Sequence, residues 1–257
     1  MELFDSHLHL DDQAFDADRE VVVSRARAAG IVGMVTIGTN LGSCRAAVAL
    51  AEHYHDVFAA VAIHPHEAQQ ATDDAIAELN TLAAHPKVVA IGETGLDFVR
   101  AKAPREAQYE AFRRHIRLSR DLNLPLIVHC REAYAEVLET LAEEKTVAVI
   151  MHAFSGSAGV ARTCAAHGYM IALGGPVTYK NARNAAEVAR TIPEDALLVE
   201  TDAPVLPPEP YRGRRNEPAH LRYVVERIAE LRGTASDVIA AATTKNAARV
   251  YHVVKSR

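Results

Sequence analysis

Short apolar runs alternate along this chain with longer segments in which apolar residues recur at helical spacing. The clearest run, VVAI at 88–91, is apolar on both faces and leads through Gly92 to Glu93. Such a run is typical of a strand in a parallel sheet covered by helices. The pattern predicts eight strands, at 3–10, 31–39, 57–66, 88–97, 125–133, 146–156, 169–175 and 196–204. The last three residues of the fourth segment, 95–97, are expected to form a turn.

Helical periodicity fills most of the intervals between the predicted strands. Helices are expected at 16–30, 41–55, 73–85 and 104–122, and from about 217 and 234 to the end of the chain. No linker or composition break interrupts the alternation, which favours a single (β/α)8 barrel (TIM barrel) formed by one domain, 1–257. A doubly wound sheet would have a glycine-rich first turn, whereas this chain has HLH there.

Composition narrows the class of protein. Among 257 residues, 49% are hydrophobic and 24% charged, as in ordinary globular proteins. No apolar run is long enough to cross a bilayer, and the acidic first residues do not resemble a signal peptide, so a cytoplasmic protein is expected. Three cysteines without CxxC spacing indicate neither a disulfide framework nor a zinc knuckle. The net charge of −5 implies that a nucleic acid would have to be bound locally.

Metal-binding residue types follow five of the predicted strands. In a barrel the carboxyl ends of the strands meet at one mouth, where active sites lie. Imidazoles with carboxylates suit zinc, manganese, iron or cobalt, while magnesium prefers more oxygen. The candidate ligands are His7, His9, Glu93, His129, His152 and Asp202.

Six ligands exceed what one catalytic ion with an open position needs. Two ions bridged by Glu93 are therefore expected, and such a pair activates water for hydrolysis. Asp202 could complete one ion and accept the proton of that water, so Glu93 and Asp202 are the predicted catalytic residues.

Other polar residues near the strand ends are candidates for contacting a substrate. His64 and His66 flank a proline and either face the substrate or serve the structure, and Asp97 follows Glu93 closely. The segment 212–216 contains Arg212, Arg215 and Asn216. Its guanidinium groups could hold phosphates, or could instead pair with nearby glutamates such as Glu209 and Glu217.

Motifs along the whole chain resemble those of the TatD family of metal-dependent hydrolases. They are DSHLHL at 5–10, IHPH at 63–66, GETGLD at 92–97, IVHCREA at 127–133, MHAFSG at 151–156, ETDAPVL at 200–206, RGRRNEP at 212–218 and TTKNAARVY at 243–251. Small departures are Ala153, Cys130 and His115, where relatives often have Cys, Ser and Gln; none removes a ligand.

The resemblance implies a two-metal phosphodiesterase that acts on DNA, typically as an exonuclease. It assigns His7, His9 and Asp202 to one ion, His129 and His152 to the other, and Glu93 to both. It also places His64, His66, Asp97 and the arginine-rich segment at a substrate-facing rim. Zn²⁺, Mg²⁺ and Mn²⁺ are candidate ions, and a monomer is compatible with the sequence.

Three other functions remain open at this point. Some TatD-like proteins are associated with hydrolysis of D-aminoacyl-tRNA, an ester bond on a nucleic acid. Related barrels act as amidohydrolases or lactonases on small molecules, although many bridge their ions with a modified lysine where this chain has Glu93. A catalytically silent scaffold is expected to have lost ligands, and all six are present.

Overall fold

The computed structural model describes residues 1–100, 102–146 and 148–253. Val147, in the predicted sixth strand, and residues 254–257, at the end of the predicted last helix, lie outside this description. The strands are β1 (Leu3–Leu8), β2 (Ile31–Ile37), β3 (Val57–Val61), β4 (Val88–Asp97), β5 (Leu126–Arg131), β6 (Val149–Met151), β7 (Met170–Leu173) and β8 (Leu197–Val199).

Helices separate most successive strands, as their apolar periodicity predicts. They are α1 (Arg19–Ala28), α2 (Leu41–His53), α3 (Asp73–Ala83), α4 (Arg105–Leu122), α5 (Tyr134–Glu143), α6 (Ala158–Ala166), α7 (Arg183–Thr191), α8 (Leu221–Arg232) and α9 (Ser236–Val250). The strands follow one another in the sheet in sequence order, β1 to β8. This order and the alternation with helices confirm the predicted (β/α)8 class.

Contacts between residues divide the chain into two units. The first unit contains residues 1–35 and 153–257, and the second contains residues 36–152. In the second unit β3, β4, β5 and β6 pair in parallel, while in the first unit β7 pairs in parallel with β8. The prediction of one domain over 1–257 therefore stays a prediction.

Each unit has an apolar core that its strands and helices share. In the first unit Leu3, Phe15 and Tyr251 are almost completely buried, and in the second Leu79 and Phe112 are fully buried. Burial of such side chains stabilises the fold by about 1.5–3 kcal/mol for each large aliphatic or aromatic group.

The predicted turn after Glu93 is wrong, because β4 continues to Asp97. Gly95 pairs with His129 and Asp97 with Arg131 on β5. Gly95 has φ +141°, and a Cβ atom there would lie 2.0 Å from the carbonyl oxygen of His129. A glycine at this position indicates a turn by sequence alone, but here it allows the close approach of two strands.

The third predicted strand is also shorter than expected. β3 ends at Val61, and the residues Pro65–Gln70 form a short 3-10 helix instead. Proline suits the first turn of such a helix, since its φ is already helical and it has no N–H to leave without a partner. None of the helices in the part of the chain that the structure describes is long and apolar enough to span a membrane.

Candidate functional site

The first cluster of candidate ligands lies in the first unit, where β1 runs beside the segment that follows β8. His7 is in β1, His9 follows it, and Asp202 lies three residues after β8 ends. The backbone N–H of Asp202 donates to the carbonyl of His7 at 2.9 Å, and that of His9 donates to Ala203 at 2.8 Å. These two hydrogen bonds fix both histidines beside the carboxylate.

Buried polar contacts hold the two segments in this register. The Asp5 carboxylate accepts hydrogen bonds from the Thr201 backbone N–H at 2.9 Å and from its hydroxyl at 2.5 Å. The Ser6 hydroxyl donates to Val199 at 2.9 Å, and Tyr251 donates to the Ser6 carbonyl at 2.9 Å. Burial raises the pKa of Asp5 to about 7 even though the Thr201 hydrogen bonds lower it.

The spacing of the first cluster fits a small divalent cation. Asp202 Oδ1 lies 3.7 Å from His7 Nε2 and 3.4 Å from His9 Nε2. One ligand atom from each of the three side chains lies within 4.8 Å of the others. Bonds of about 2.0–2.1 Å in a tetrahedral zinc site place ligand atoms roughly 3.3 Å apart. The backbone of Asp202 is left-handed, with φ +55°, an unfavourable conformation that is common at functional sites.

The second cluster lies in the second unit around Glu93 of β4. The register between β4 and β5 shifts between Ile91 and Thr94, an irregularity of the kind that re-aims a side chain. Glu93 Oε1 lies 2.6 Å from His129 Nδ1, 3.5 Å from His64 Nε2 and 3.6 Å from His152 Nε2. Glu93, His64 and His129 each offer one ligand atom within 4.8 Å of the others.

The electrostatics of this second cluster favour a charged carboxylate. Burial alone would raise the pKa of Glu93, but electrostatic interactions with the His152 and His64 imidazoles and a hydrogen bond from His129 hold it well below its ordinary value. Burial also lowers the pKa of His64, so this imidazole is predominantly neutral at pH 7 and can offer a nitrogen lone pair. Burial would lower the pKa of His129 too, but its hydrogen bonds to Asp97 and Glu93 raise it, so in the absence of a cation these carboxylates favour its protonated ring. A carboxylate together with imidazole nitrogens is a donor set that suits zinc or manganese.

Asp97 lies on the far side of the His129 ring from Glu93. Its Oδ2 is 3.2 Å from His129 Nε2 and 2.9 Å from His66 Nε2, and its Oδ1 accepts from two backbone N–H groups at 2.9 Å. Burial would raise the pKa of Asp97, but the hydrogen bonds from His129, the Arg100 backbone and His66 lower it below its ordinary range. The carboxylate therefore orients two imidazoles, and its predicted contact with substrate stays a prediction.

The structure brings His64 and His66 to different partners, although the sequence places them together. His64 Nδ1 accepts a hydrogen bond from the His66 backbone N–H at 3.1 Å, which turns its Nε2 toward Glu93. His66 points to Asp97 instead. From the sequence His64 is expected to face the substrate, whereas its distance to Glu93 makes it a candidate ligand. Its position just beyond β3 is the signal that could have found it, since His9, His152 and Asp202 also lie just beyond their strands.

The three predicted substrate-binding residues of the arginine-rich segment, 212–216, have different surroundings and partners. Arg215 lies 2.7 and 2.8 Å from the two carboxylate oxygens of Asp18 and 2.9 Å from Glu217. Asn216 is fully buried and donates to the carbonyls of Thr201 and Val205 at 2.8 Å. Arg212 is 59% exposed. The predicted substrate contacts of all three stay predictions, and Arg212 is the one whose exposed position suits such a contact.

Helix α4 supplies two buried supports that the sequence analysis did not assign to the site. Gln108 accepts from the Asp97 backbone N–H at 2.8 Å, and His115 Nε2 accepts from the Ile63 N–H at 3.0 Å. Their seven-residue spacing on one face of the helix was visible in the sequence. Their partners at the ends of β4 and β3 were not, because only tertiary packing brings them together.

Comparison with known proteins identifies the family to which this chain belongs. The family model described as TatD related DNase matches residues 4–252. A Bacillus subtilis protein named uncharacterized metal-dependent hydrolase YabD is 44% identical over 98% of this chain and 99% of its own length. The Escherichia coli K12 protein named 3'-5' ssDNA/RNA exonuclease TatD is 38% identical over 98% of this chain and 99% of its own.

A solved structure extends the similarity from sequence to fold. The crystal structure of YJJV, a TatD homologue from Escherichia coli K12, is 30% identical, covers 98% of both chains and superposes with a TM-score of 0.93. The family model, the sequence relatives and the fold all agree. The chain belongs to the TatD family of metal-dependent hydrolases.

Proposed function

We propose that this hydrolase removes nucleotides from the ends of single-stranded nucleic acid by cleaving phosphodiester bonds with the help of two divalent cations. The observation that carries the proposal is the pair of ligand clusters, one in each unit, each combining imidazoles with a carboxylate. The name of the Escherichia coli TatD relative, a 3'-5' ssDNA/RNA exonuclease, supports the substrate class.

Each cluster would hold one cation. In the first unit His7, His9 and Asp202 supply two nitrogens and an oxygen; in the second unit Glu93 and His129, with His64 or His152, supply a similar set. A bound divalent cation supplies Lewis-acid chemistry, which polarises a phosphoryl oxygen and acidifies water. Asp97 would keep the His129 ring in the orientation in which its Nδ1 faces the ion, as carboxylates do for metal-binding histidines.

Asp202 is the proposed acceptor of the proton that the attacking water loses. Its backbone is held by the hydrogen bond to His7 in β1, and its side chain keeps 11% of its surface exposed, which leaves room for the contact with a water molecule that this role requires. General-base catalysis requires a carboxylate within hydrogen-bond reach of the water. A substrate end threads more easily to such a group than the middle of a stiff duplex does.

Metal content and cleavage test the two parts of the proposal separately. Protein stripped with a chelator and resupplied with one metal at a time should bind two ions per chain by elemental analysis. His9→Ala and His129→Ala should each lose one ion, while His55→Ala, at an exposed histidine, should lose none. Glu93→Ala tests the prediction from the sequence that Glu93 binds both ions, since both should then be lost or weakened. A single ion at saturation would contradict the two-ion proposal.

Substrate choice is tested with labelled polymers on the same metal-loaded protein. End-labelled single-stranded DNA and RNA should be shortened from an end, and chelator should stop the reaction. Closed circular duplex should resist. Hydrolysis of D-aminoacyl-tRNA or of small amides in preference to these polymers would move the function to one of the other hydrolase classes.

A further inference from the structure

A polar pocket opens between the segments that follow β7 and β8 in the first unit. Its volume is about 380 Å³, within the range of ligand pockets, and it is lined by Tyr179, Lys180, Asn181, Ala182, Glu209 and Arg212. Because β7 and β8 are parallel, both segments leave the sheet at the end where Asp202 also lies. In (β/α)8 enzymes the segments after the seventh and eighth strands often form a phosphate site.

The walls of this β7–β8 pocket are braced against each other. The Tyr179 hydroxyl donates to the Pro207 carbonyl at 2.9 Å, and the Glu209 backbone N–H donates to the Thr178 hydroxyl at 2.9 Å. At Gly175 the two segments touch so closely that a Cβ atom would lie 2.0 Å from the Leu206 carbonyl oxygen. The pocket is therefore formed before a ligand arrives, which lowers the entropy that binding costs.

The charges in the pocket suit an anion that displaces Glu209, the weak ion-pair partner of Arg212. The Arg212 guanidinium carbon lies 4.4 Å from the centre of the Tyr179 ring, and Glu209 is 3.8 Å away, beyond hydrogen-bond distance. Arg215, in contrast, holds Asp18 at 2.7 Å. A guanidinium that rests on an aromatic ring keeps its N–H edge available for a phosphate. Lys180 adds a second cation at the exposed rim.

We infer that the β7–β8 pocket binds a backbone phosphate of a single-stranded nucleic acid, one or more nucleotides away from the bond that is cleaved. Arg212 binds the phosphate oxygens, Tyr179 holds the guanidinium flat, and Lys180 contributes charge. Glu209 competes with the phosphate for Arg212. This inference rests on the proposed function, because it assigns the long substrate a second contact in addition to the catalytic one.

Binding is measured by fluorescence anisotropy of labelled oligothymidylate and oligouridylate of increasing length, with chelator present so that nothing is cleaved. Arg212→Ala should weaken binding of the longer strands about tenfold, since a hydrogen-bonded charge pair is lost. Glu209→Gln should strengthen it, because the competing carboxylate is gone. Arg222→Ala is the matched control: Arg222 also stacks on a tyrosine and pairs with a glutamate, yet it lies outside the pocket.

The dependence on length locates the contact. A dinucleoside monophosphate should bind the parent protein and Arg212→Ala equally, because its single phosphate is the one that is cleaved and no second phosphate is left for the pocket. Equal losses for Arg212→Ala and Arg222→Ala, a loss that is the same for every length, or weaker binding by Glu209→Gln would each overturn the inference. If the parent protein cleaves strands but Arg212→Ala binds them normally, the inference fails and the proposed function stands. If the parent protein neither binds nor cleaves strands, both fail.

Discussion

At the scale of single residues, the carboxylate that stands out is one that would not itself bind a cation. Asp97 is completely buried, and its two oxygens hold two imidazoles and two backbone N–H groups. When a metal-binding histidine donates the N–H of its second ring nitrogen to a carboxylate, this hydrogen bond fixes the tautomer. It also raises the basicity of the ring nitrogen that binds the metal. In the proposed site, Asp97 would therefore keep the Nδ1 atom of His129 facing Glu93 and the cation.

We expect Asp97→Asn to lower the affinity of the second unit for the proposed cation by roughly 10- to 100-fold, because an amide orients the His129 ring less strongly than a charged carboxylate. Competition with a chelating dye measures this affinity. Asp56→Asn is the control, since Asp56 is also buried and lies 3.9 Å from a histidine nitrogen outside the cluster. Unchanged affinity in Asp97→Asn would show that His129 is oriented by its packing alone.

At the scale of elements, helix α4 is the support on which the second cluster is assembled. Gln108 and His115 point from one face of the helix to the ends of β4 and β3, just before or within the segments that carry Asp97 and His64. His115 donates from Nδ1 to the Ala111 carbonyl at 2.7 Å and accepts the Ile63 N–H at Nε2, so its ring must be neutral. Burial accordingly lowers the pKa of His115 to about 4.

This depressed pKa predicts a dependence of stability on pH. In the unfolded chain His115 takes up a proton near its ordinary pKa of 6.5, whereas the folded protein resists protonation until about 4. Folding stability is therefore full above pH 6.5 and falls as pH decreases toward 4. Urea unfolding of the metal-free protein across this window should show a flatter profile for His115→Gln, which keeps an acceptor for Ile63 but does not titrate.

The matched variant His115→Leu separates the hydrogen bond from the titration. Leucine also does not titrate, but it leaves the buried Ile63 N–H without its acceptor and should cost about 1–3 kcal/mol at pH 7. If His115→Gln and His115→Leu have the same stability at pH 7, the hydrogen bond to Ile63 contributes nothing measurable.

At the scale of the whole molecule, charge limits how a nucleic acid can be bound. The chain has a net charge of −5, and many of its arginines are already paired, as Arg113, Arg114 and Arg117 are with acids on neighbouring elements. A net negative charge with paired arginines disfavours coating a polyanion. Under the proposed function, the protein would bind a strand through a few local contacts such as Arg212, together with the proposed cations.

The salt dependence of binding should therefore be shallow. Each phosphate contact to a single strand contributes a slope of about −0.7 to log K against log salt, so three contacts give a slope of about −2. Anisotropy titrations of a labelled oligonucleotide over a range of salt concentrations measure it. A slope several times steeper would indicate a broad basic surface that neither the net charge nor the paired arginines predict.

Much of this protein follows from its sequence because the signals are local. Apolar runs and helical periodicity predicted the strands and helices of a (β/α)8 barrel, since alternation and spacing are properties of neighbouring residues. The pair His7 and His9 could be assigned to one ligand cluster from its spacing in an extended segment. The carboxylates Glu93 and Asp202 could be chosen because each follows or interrupts a buried strand.

The remainder depends on distances between residues far apart in the chain, which only tertiary structure determines. Gly95 continues β4 and does not form a turn, because β5 approaches the backbone closely at this glycine. Three contacts require packing between residues that are far apart in the chain. They join Arg215 to Asp18, His64 to Glu93, and His115 to the backbone N–H of Ile63. The β7–β8 pocket exists for the same reason: hydrogen bonds between Tyr179 and Pro207, and between Glu209 and Thr178, join segments that the sequence keeps apart.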